Sequence, residues 1–505
     1  MTGYWLGVDV GTTMIKAAAY RRDGTAVALC ETPNAVLRGP GGACEQDMDA
    51  VWQGVCRVLQ DLVGRLDGAD IASVGLCGQG DGLWPLNAGR SPNGRAILWN
   101  DTRAADGVVA LLDSGRAAAV GRASHTALWP GTSGALYRWL RDHAPDRARD
   151  TAHVVYCADW IGACLTGELA TDFSNASIPF LDLGEKRYDD AALDALDCAG
   201  LRPKLKAPRR ACGPLGRVTA KAAAATHLPE GTPVSVGTLD LAAMIVGMGM
   251  DAPGETMMVL GTTAVVNILA DAIMPADLPV GATALHPTAD VAIRILAPST
   301  GTAAFDWFCG LHPQTLKGAD ARESAVKLNE LAEQVAPGAN GLTFLPYLNG
   351  ERAPFVAPDA RGVFFGLDQR SSRAEMGRSV MEGTAFSLRH CFTEEGGLPD
   401  RAVRLTGGGA RNPLWCQIIA DVIGVPVIVS EASDHGLWGA ACLGASASGH
   451  GDACVLARRD DQTRTYEADP AKHRAYDQAF DRYLAISEGS RAIWHALGRN
   501  QGADP

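Results

Sequence analysis

One short pattern occurs twice in this chain. Tyr4 to Val10 is an apolar run that Gly11-Thr12-Thr13 breaks and Met14 to Tyr20 resumes, and Glu255 to Asn267 repeats the plan around Gly261-Thr262-Thr263, 250 residues further on. Each copy reads as a β-hairpin, which cannot bury both its faces alone. Its recurrence at about half the chain length makes an internal duplication the economical reading. The segments that follow agree. After the first hairpin, Val51, Trp52, Val55, Val58, Leu59, Leu62, Val63 and Leu66 recur at helical spacing and Ile71 to Cys77 is a strand. After the second come a helical pattern over 371–391, a strand over 403–406, the turn Gly407-Gly408-Gly409 and a helix over 413–423. Alternating strands and helices give an α/β chain of two domains. Gly247, Gly249, Asp251, Pro253 and Gly254 loosen the chain at the boundary. The domains are therefore drawn as 1–250 and 251–485, with a tail over 486–505 and a polar surface connector over 458–464.

Composition narrows the function. Forty-five Lys and Arg against 57 Asp and Glu leave a net charge of −12, with basic runs no longer than pairs such as Arg209-Arg210, which argues against nucleic acid as a main partner. The thirteen cysteines include no Cys-x-x-Cys pair, so neither a disulfide framework nor a structural zinc site is expected and a reducing cytoplasm fits. The longest apolar stretches, such as 242–250, are about half a membrane span, and no basic leader opens the chain, so neither membrane insertion nor export is expected.

The chemistry-bearing residues cluster at strand ends. Gly11, Thr12 and Thr13, and again Gly261, Thr262 and Thr263, offer backbone N–H groups, hydroxyl donors and a glycine that admits close approach, a combination suited to a polyanion held by two half-sites. Lys16 follows the first turn as a point charge for phosphates, or else as a solvent-facing strand lysine. Asp9 lies inside an apolar run, where a carboxylate needs a cation or donors; it is placed to hold Mg²⁺, or else to cap the turn. Asp240 ends the run 234–239 just before an apolar helix start, which suits an N-cap first and a general base second. Gly407 to Gly409, ahead of Pro413 at a helix start, bare the backbone for the flat face of an adenine and its ribose. Gln79, Gly80 and Asp81 after one strand, and Asn100, Asp101 and Arg103 after Trp99, form the amide, carboxylate, guanidinium and indole set that binds polyhydroxylated ligands. The P-loop, nucleophile-elbow and dinucleotide-turn spacings are absent.

Taken together, the pattern resembles the FGGY carbohydrate kinases of the actin/hexokinase/Hsp70-like ATPase superfamily, from Tyr4 to about His450. The matching stretches are 7–16; Glu45-Gln46-Asp47; 97–103; Asp159-Trp160 with Leu165-Thr166-Gly167; 171–176; 237–240; 362–367; Glu382-Gly383; and 406–412. Gly131 to His143 looks like the family's first signature, with Leu136 where that signature usually has lysine. The resemblance implies two ribonuclease-H-like domains with an interdomain cleft, sugar held mainly by the first and ATP mainly by the second. Carried over by position, it makes Asp9 the support for Mg²⁺, puts Thr12, Thr13 and Lys16 on the phosphates with Gly261, Thr262 and Thr263 opposite, sets Gly408, Gly409 and Asn412 beside adenosine, and makes Asp240 the base rather than a cap. A homodimer is an expectation carried by the family alone.

For the acceptor, Tyr4-Trp5-Leu6-Gly7, Leu128-Trp129-Pro130-Gly131 and Tyr137-Arg138-Trp139-Leu140 look like L-xylulose kinases, whereas Gly78-Gln79-Gly80-Asp81-Gly82 with Leu241 after the base resembles erythritol kinases. A pentulose of the xylulose type, phosphorylated on a terminal hydroxyl, is the expected substrate, and erythritol or another polyol the alternative. A function of another class, a non-kinase ATPase or a sugar sensor, is the remaining reading.

Overall fold

A computed structural model describes residues 3–66, 70–271, 273, 276–311, 321–432, 434–459 and 462–501. The chain forms two compact units. The first comprises residues 1–253, 270–293 and 432–460; the second comprises 254–269, 294–431 and 461–505. Beside the cut drawn near residue 250, two later stretches group with the first unit.

In the first unit, β1 (Tyr4–Val10), β2 (Met14–Tyr20) and β3 (Ala26–Pro33) form an antiparallel meander, and β4 (Ile71–Gly78) runs parallel to β1. With β5 (Pro214–Arg217) and β6 (Pro233–Ser235) the order is β5-β6-β4-β1-β2-β3, and the short β7 (Thr238–Leu239) pairs β4 in parallel. The parallel strands are apolar on both faces because helices cover both. One cover is the helix Met48–Gly64, capped by Asp47 through the Ala50 N–H at 2.9 Å, which buries Val51, Val55, Val58, Leu59 and Leu62. The other is His435–Ala447, which comes so close that a Cβ on Gly7 would meet the Leu437 carbonyl oxygen at 2.0 Å and one on Gly75 the Ala440 oxygen at 1.6 Å.

The second unit repeats the scheme. Its strands β8 (Thr256–Leu260), β9 (Ala264–Ala270), β10 (Ala292–Leu296), β11 (Val403–Thr406), β12 (Val427–Ser430) and β13 (Thr463–Tyr466) run in the order β10-β9-β8-β11-β12-β13. Read from its β3 edge, the first sheet has this same order, again with an antiparallel hairpin, a parallel neighbour and an antiparallel edge. The duplication seen in two turns extends to the sheet.

Two local expectations are corrected. The connector over 458–464 becomes strand β13 from Thr463, with 460 and 461 outside the described residues. The tail from 486 is part of the helix Pro470–Gln501, whose Tyr476, Phe480, Tyr483 and Trp494 are buried; residues 502–505 lie outside the described residues. All thirteen cysteines are free thiols, and among the described residues no helix is long and apolar enough to cross a membrane.

Candidate active site

Three neighbouring parallel strands of the first unit end together. Asp9 stands opposite Cys77 in the β1–β4 ladder, Leu239 stands opposite Gly78 in the β7–β4 ladder, and the 79–82 loop leaves β4 between them. Asp9, Asp81 and Asp240 therefore share one sheet edge, where open α/β sheets bind ligands. Asp81 itself takes a left-handed conformation, φ 55°, between Gly80 and Gly82.

The carboxyls interact. Burial raises Asp9 to about 7, with the charge of Asp240 adding to the rise and Lys16 opposing it. Asp81 rises to about 8, through burial and then Asp240. Burial also raises Asp240, to about 6, against the Leu241 N–H that donates to its Oδ1 at 2.7 Å. Asp9 Oδ1 is sealed from solvent without a hydrogen-bond partner. Oxygen donors short of positive charge are the set a hard divalent cation satisfies, so the residues fit Mg²⁺. Such an ion, when bound, supplies charge neutralisation to transferring phosphoryl oxygens. The first reading of Asp240 as an N-cap is corrected, because Leu239 occupies that position and Asp240 is the first residue of the helix Asp240–Gly247.

The first Gly-Thr-Thr turn is closed by Gly11 N–H to Met14 O at 3.0 Å and braced by Asn34, whose N–H donates to Thr13 O and whose Nδ2 donates to Gly11 O, both at 2.8 Å. A ring of hydrogen bonds ties it to Gln46 and to the loops at Gln79 and Trp99. Thr12 Oγ1 donates to Gln79 Oε1 at 3.0 Å, Gln79 Nε2 to Gln46 Oε1 at 2.7 Å, and Gln46 Nε2 to Thr12 O at 2.9 Å; the Trp99 indole also donates to Thr12 Oγ1, at 3.1 Å. The Gln79 amide is thus held inside the protein, the Trp99 indole of the polyhydroxyl-binding set is turned to Thr12, and Gln46, in the sequence only part of a matching stretch, joins the site.

Asp101 and Arg103 are likewise interlocked. Asp101, buried, accepts from the Cys44 N–H at 2.8 Å and from Arg103 Nη2 at 2.7 Å; Arg103 Nη2 also donates to Glu45 at 2.8 Å, and its guanidinium lies 4.3 Å from the Trp139 ring centre. The Asn100 side-chain oxygen beside them is buried without a partner. The neighbouring backbone is pressed close: a Cβ on Gly131 would lie 1.6 Å from the Trp99 carbonyl oxygen.

Behind Asp240, the Thr238 hydroxyl donates to Asp172 Oδ2 at 2.8 Å, while Asp172 caps the helix that starts at Phe173. The Thr171-Asp172 motif therefore fixes the strand end that leads into Asp240. Lys16 pairs with Asp434, Nζ to Oδ1 at 2.9 Å, a partner no sequence signal pointed to.

In the second unit, β8 and β11 pair in parallel with Val259 opposite Thr406, so Gly261-Thr262-Thr263 and Gly407-Gly408-Gly409 leave adjacent strand ends. Thr262, Thr263 and Gly408 are exposed, and nothing lies within 4 Å of where a Gly408 Cβ would be. Gly407, φ 95°, passes so near β8 that a Cβ would sit 2.7 Å from the Leu260 oxygen. Gly301 N–H donates to Thr262 O at 2.9 Å and Thr302 N–H to Gly261 O at 2.7 Å, and Glu351 Oε1 holds the Ser299 N–H of that loop at 2.7 Å. The Asn412 side chain is engaged as the N-cap of the helix Pro413–Ile423, accepting from the Trp415 N–H at 3.2 Å, and donates to Asn329 at 2.7 Å.

Known proteins resemble this chain along nearly its whole length. Two family models match, the FGGY family of carbohydrate kinases, N-terminal domain, over residues 4–247 and its C-terminal domain over 256–448. The chain is 30% identical to an erythritol kinase of Brucella abortus, over 97% of each chain. It is 29% identical to an L-xylulose/3-keto-L-gulonate kinase of Escherichia coli, over 97% of this chain and 99% of that one. A solved structure described as a xyloylose kinase from Brucella ovis superposes with a TM-score of 0.87 at 29% identity, covering 97% of this chain and all of that one. The chain belongs to the FGGY family of carbohydrate kinases, and it is a kinase of a sugar or polyol that uses ATP as phosphate donor.

Proposed function

We propose that the chain transfers the γ-phosphoryl group of Mg-ATP to the terminal hydroxyl of a pentulose of the xylulose type. The observation that carries the chemistry is the shared strand-end edge of Asp9, Asp81 and Asp240. The acceptor oxygen forms the new P–O bond, the bond from the γ-phosphorus to the β–γ bridging oxygen breaks, ADP leaves, and the acceptor proton passes to Asp240. An aspartate is a weak base for an alcohol, so its help comes late in transfer and through orientation, with positioning and charge stabilisation supplying most of the acceleration. In this reading Asp9 supports Mg²⁺, the turns at 11–13 and 261–263 with Lys16 meet the phosphates, Gly408, Gly409 and Asn412 lie beside adenosine, and 79–81 with 100–103 bind the acceptor. The likeness to an L-xylulose kinase supports the pentulose.

A tetritol such as erythritol is the second reading, favoured by Asp81 within Gly-Gln-Gly-Asp-Gly and by the likeness to an erythritol kinase. Free thiols throughout suit a reducing cytoplasm. The test is ADP release with Mg-ATP across D- and L-xylulose, D- and L-ribulose, erythritol, glycerol and no acceptor. A rise with a xylulose bears the reading out, a rise with erythritol alone moves it to the polyol, and turnover indifferent to every acceptor overturns it.

A further inference from the structure

The β1–β2 ladder sets Lys16 directly opposite Asp9, and opposite charges facing across antiparallel strands ordinarily close on each other. Here they do not. Lys16 Nζ lies 2.9 Å from Asp434 Oδ1, while Asp9 Oδ1 is sealed and without a hydrogen-bond partner. Glu31, across the β2–β3 ladder, is the other carboxylate facing Lys16.

Asp434 is unusual in its own right. It stands at the N-cap of the helix His435–Ala447, where an aspartate ordinarily accepts from the first turn's N–H groups, yet its side chain makes no cap bond and its backbone is left-handed, φ 64° and ψ 50°. The helix is seated on Gly7 and Gly75 with no room for a Cβ, so its first turn cannot drift. Both members of the pair are about a quarter exposed, 27% and 25%, so solvent screens them only in part.

We propose that Asp434 is a positioning residue: it draws Lys16 away from Asp9 and so keeps the Asp9, Asp81 and Asp240 set open for a divalent cation. The inference rests on the reading of Asp9 as that cation's carboxylate. Without Asp434, the carboxylates that face the Lys16 ammonium across the sheet are Asp9 and the exposed Glu31, and a lysine that turns to Asp9 competes with the metal.

The test is Mn²⁺ binding to the full-length, nucleotide-free protein, read from the EPR signal of free Mn²⁺. Wild type binds, and Asp9→Asn weakens binding. Asp434→Asn, which keeps the left-handed conformation accessible, weakens it about tenfold, the scale of one added unit charge a few ångströms from the site. Asp434→Ser, which supplies a conventional N-cap, shows the same loss, and Asp434→Glu restores binding. In a Lys16→Met background, Asp434→Asn changes nothing. Failure of wild type to bind, or indifference to Asp9→Asn, overturns the metal reading of Asp9. Binding by Asp434→Asn equal to wild type, with Asp9→Asn still weak, overturns the role of Asp434 alone. A loss that persists with Lys16→Met overturns it too, because Asp434 then acts by another route.

Discussion

The Trp99 indole N–H and the Thr12 hydroxyl meet at 3.1 Å, so one oxygen is shared by the loop that carries Asn100, Asp101 and Arg103 and by the first Gly-Thr-Thr turn. Trp99→Phe keeps the ring and removes the donor. Loss of one neutral hydrogen bond is worth about 0.5–1.5 kcal/mol, so kcat/KM for the acceptor is expected to fall about threefold to tenfold, with the melting temperature lowered only slightly. Steady-state kinetics beside a thermal melt checks both.

Asp240→Asn removes the proton acceptor while keeping shape. The expected loss in kcat is about 10²- to 10⁴-fold. Stability is expected to hold or rise, since a carboxyl that burial disfavours in its charged form has been replaced by a neutral amide. Coupled ADP assay and urea unfolding on one preparation separate the two effects.

Acid and metal act on the same three carboxyls. Asp9, Asp81 and Asp240 have raised values of about 7, 8 and 6 in the folded protein against an ordinary 3.8. Over that window the folded state holds protons the unfolded state has released, so stability is fullest below about pH 4 with respect to these groups and declines as pH rises to 8. A divalent cation replaces the protons. Mg²⁺ is therefore expected to raise the melting temperature more at pH 8 than at pH 5, a difference that Asp9→Asn diminishes; melts with Mg²⁺ and with chelator at both pH values test it.

Gly131→Ala places a Cβ where the Trp99 carbonyl oxygen already sits. The backbone must give way, at a cost of about 1–3 kcal/mol in unfolding free energy, and Trp99 moves with it. Urea midpoints are expected to fall and the acceptor KM to rise together.

Glu351 braces the Ser299 to Thr302 loop from behind, and that loop in turn hydrogen-bonds the second Gly-Thr-Thr turn. Glu351→Ala leaves the Ser299 and Arg352 N–H groups unpaired, so KM for ATP is expected to rise severalfold while KM for the acceptor stays within about twofold, since an unpaired buried donor costs about 1–3 kcal/mol where it lies. Product-coupled kinetics with each substrate varied in turn decides it.

Sequence reasoning reaches what local chemistry determines. The hairpin turns announce themselves because Gly-Thr-Thr interrupts apolar runs, and Asp9 and Asp240 because carboxylates at the ends of such runs need a reason. What it misses is held by distant partners. Asp434 is 418 residues from Lys16, and no periodicity links them. The Gln46 and Gln79 amides look free in sequence because their bonds close through a third residue, Thr12. Asn412 also caps the helix that starts at Pro413, and its bond to Asn329, 83 residues away, has no sequence signal. The helix His435–Ala447 is apolar nearly all round, which says that it is buried and leaves open in which unit.

That helix has a consequence for synthesis. The first unit's sheet presents Gly7 and Gly75 as bare backbone against which a helix from residues 435–447 must seat, so when the ribosome has made the first 253 residues the covering piece is still some 180 residues away. The nascent first unit leaves the exit tunnel with that face uncovered. Its final packing waits until residues 435–447 have been made, and a chain stopped at the apparent midpoint would be released with an open sheet face rather than as a finished domain.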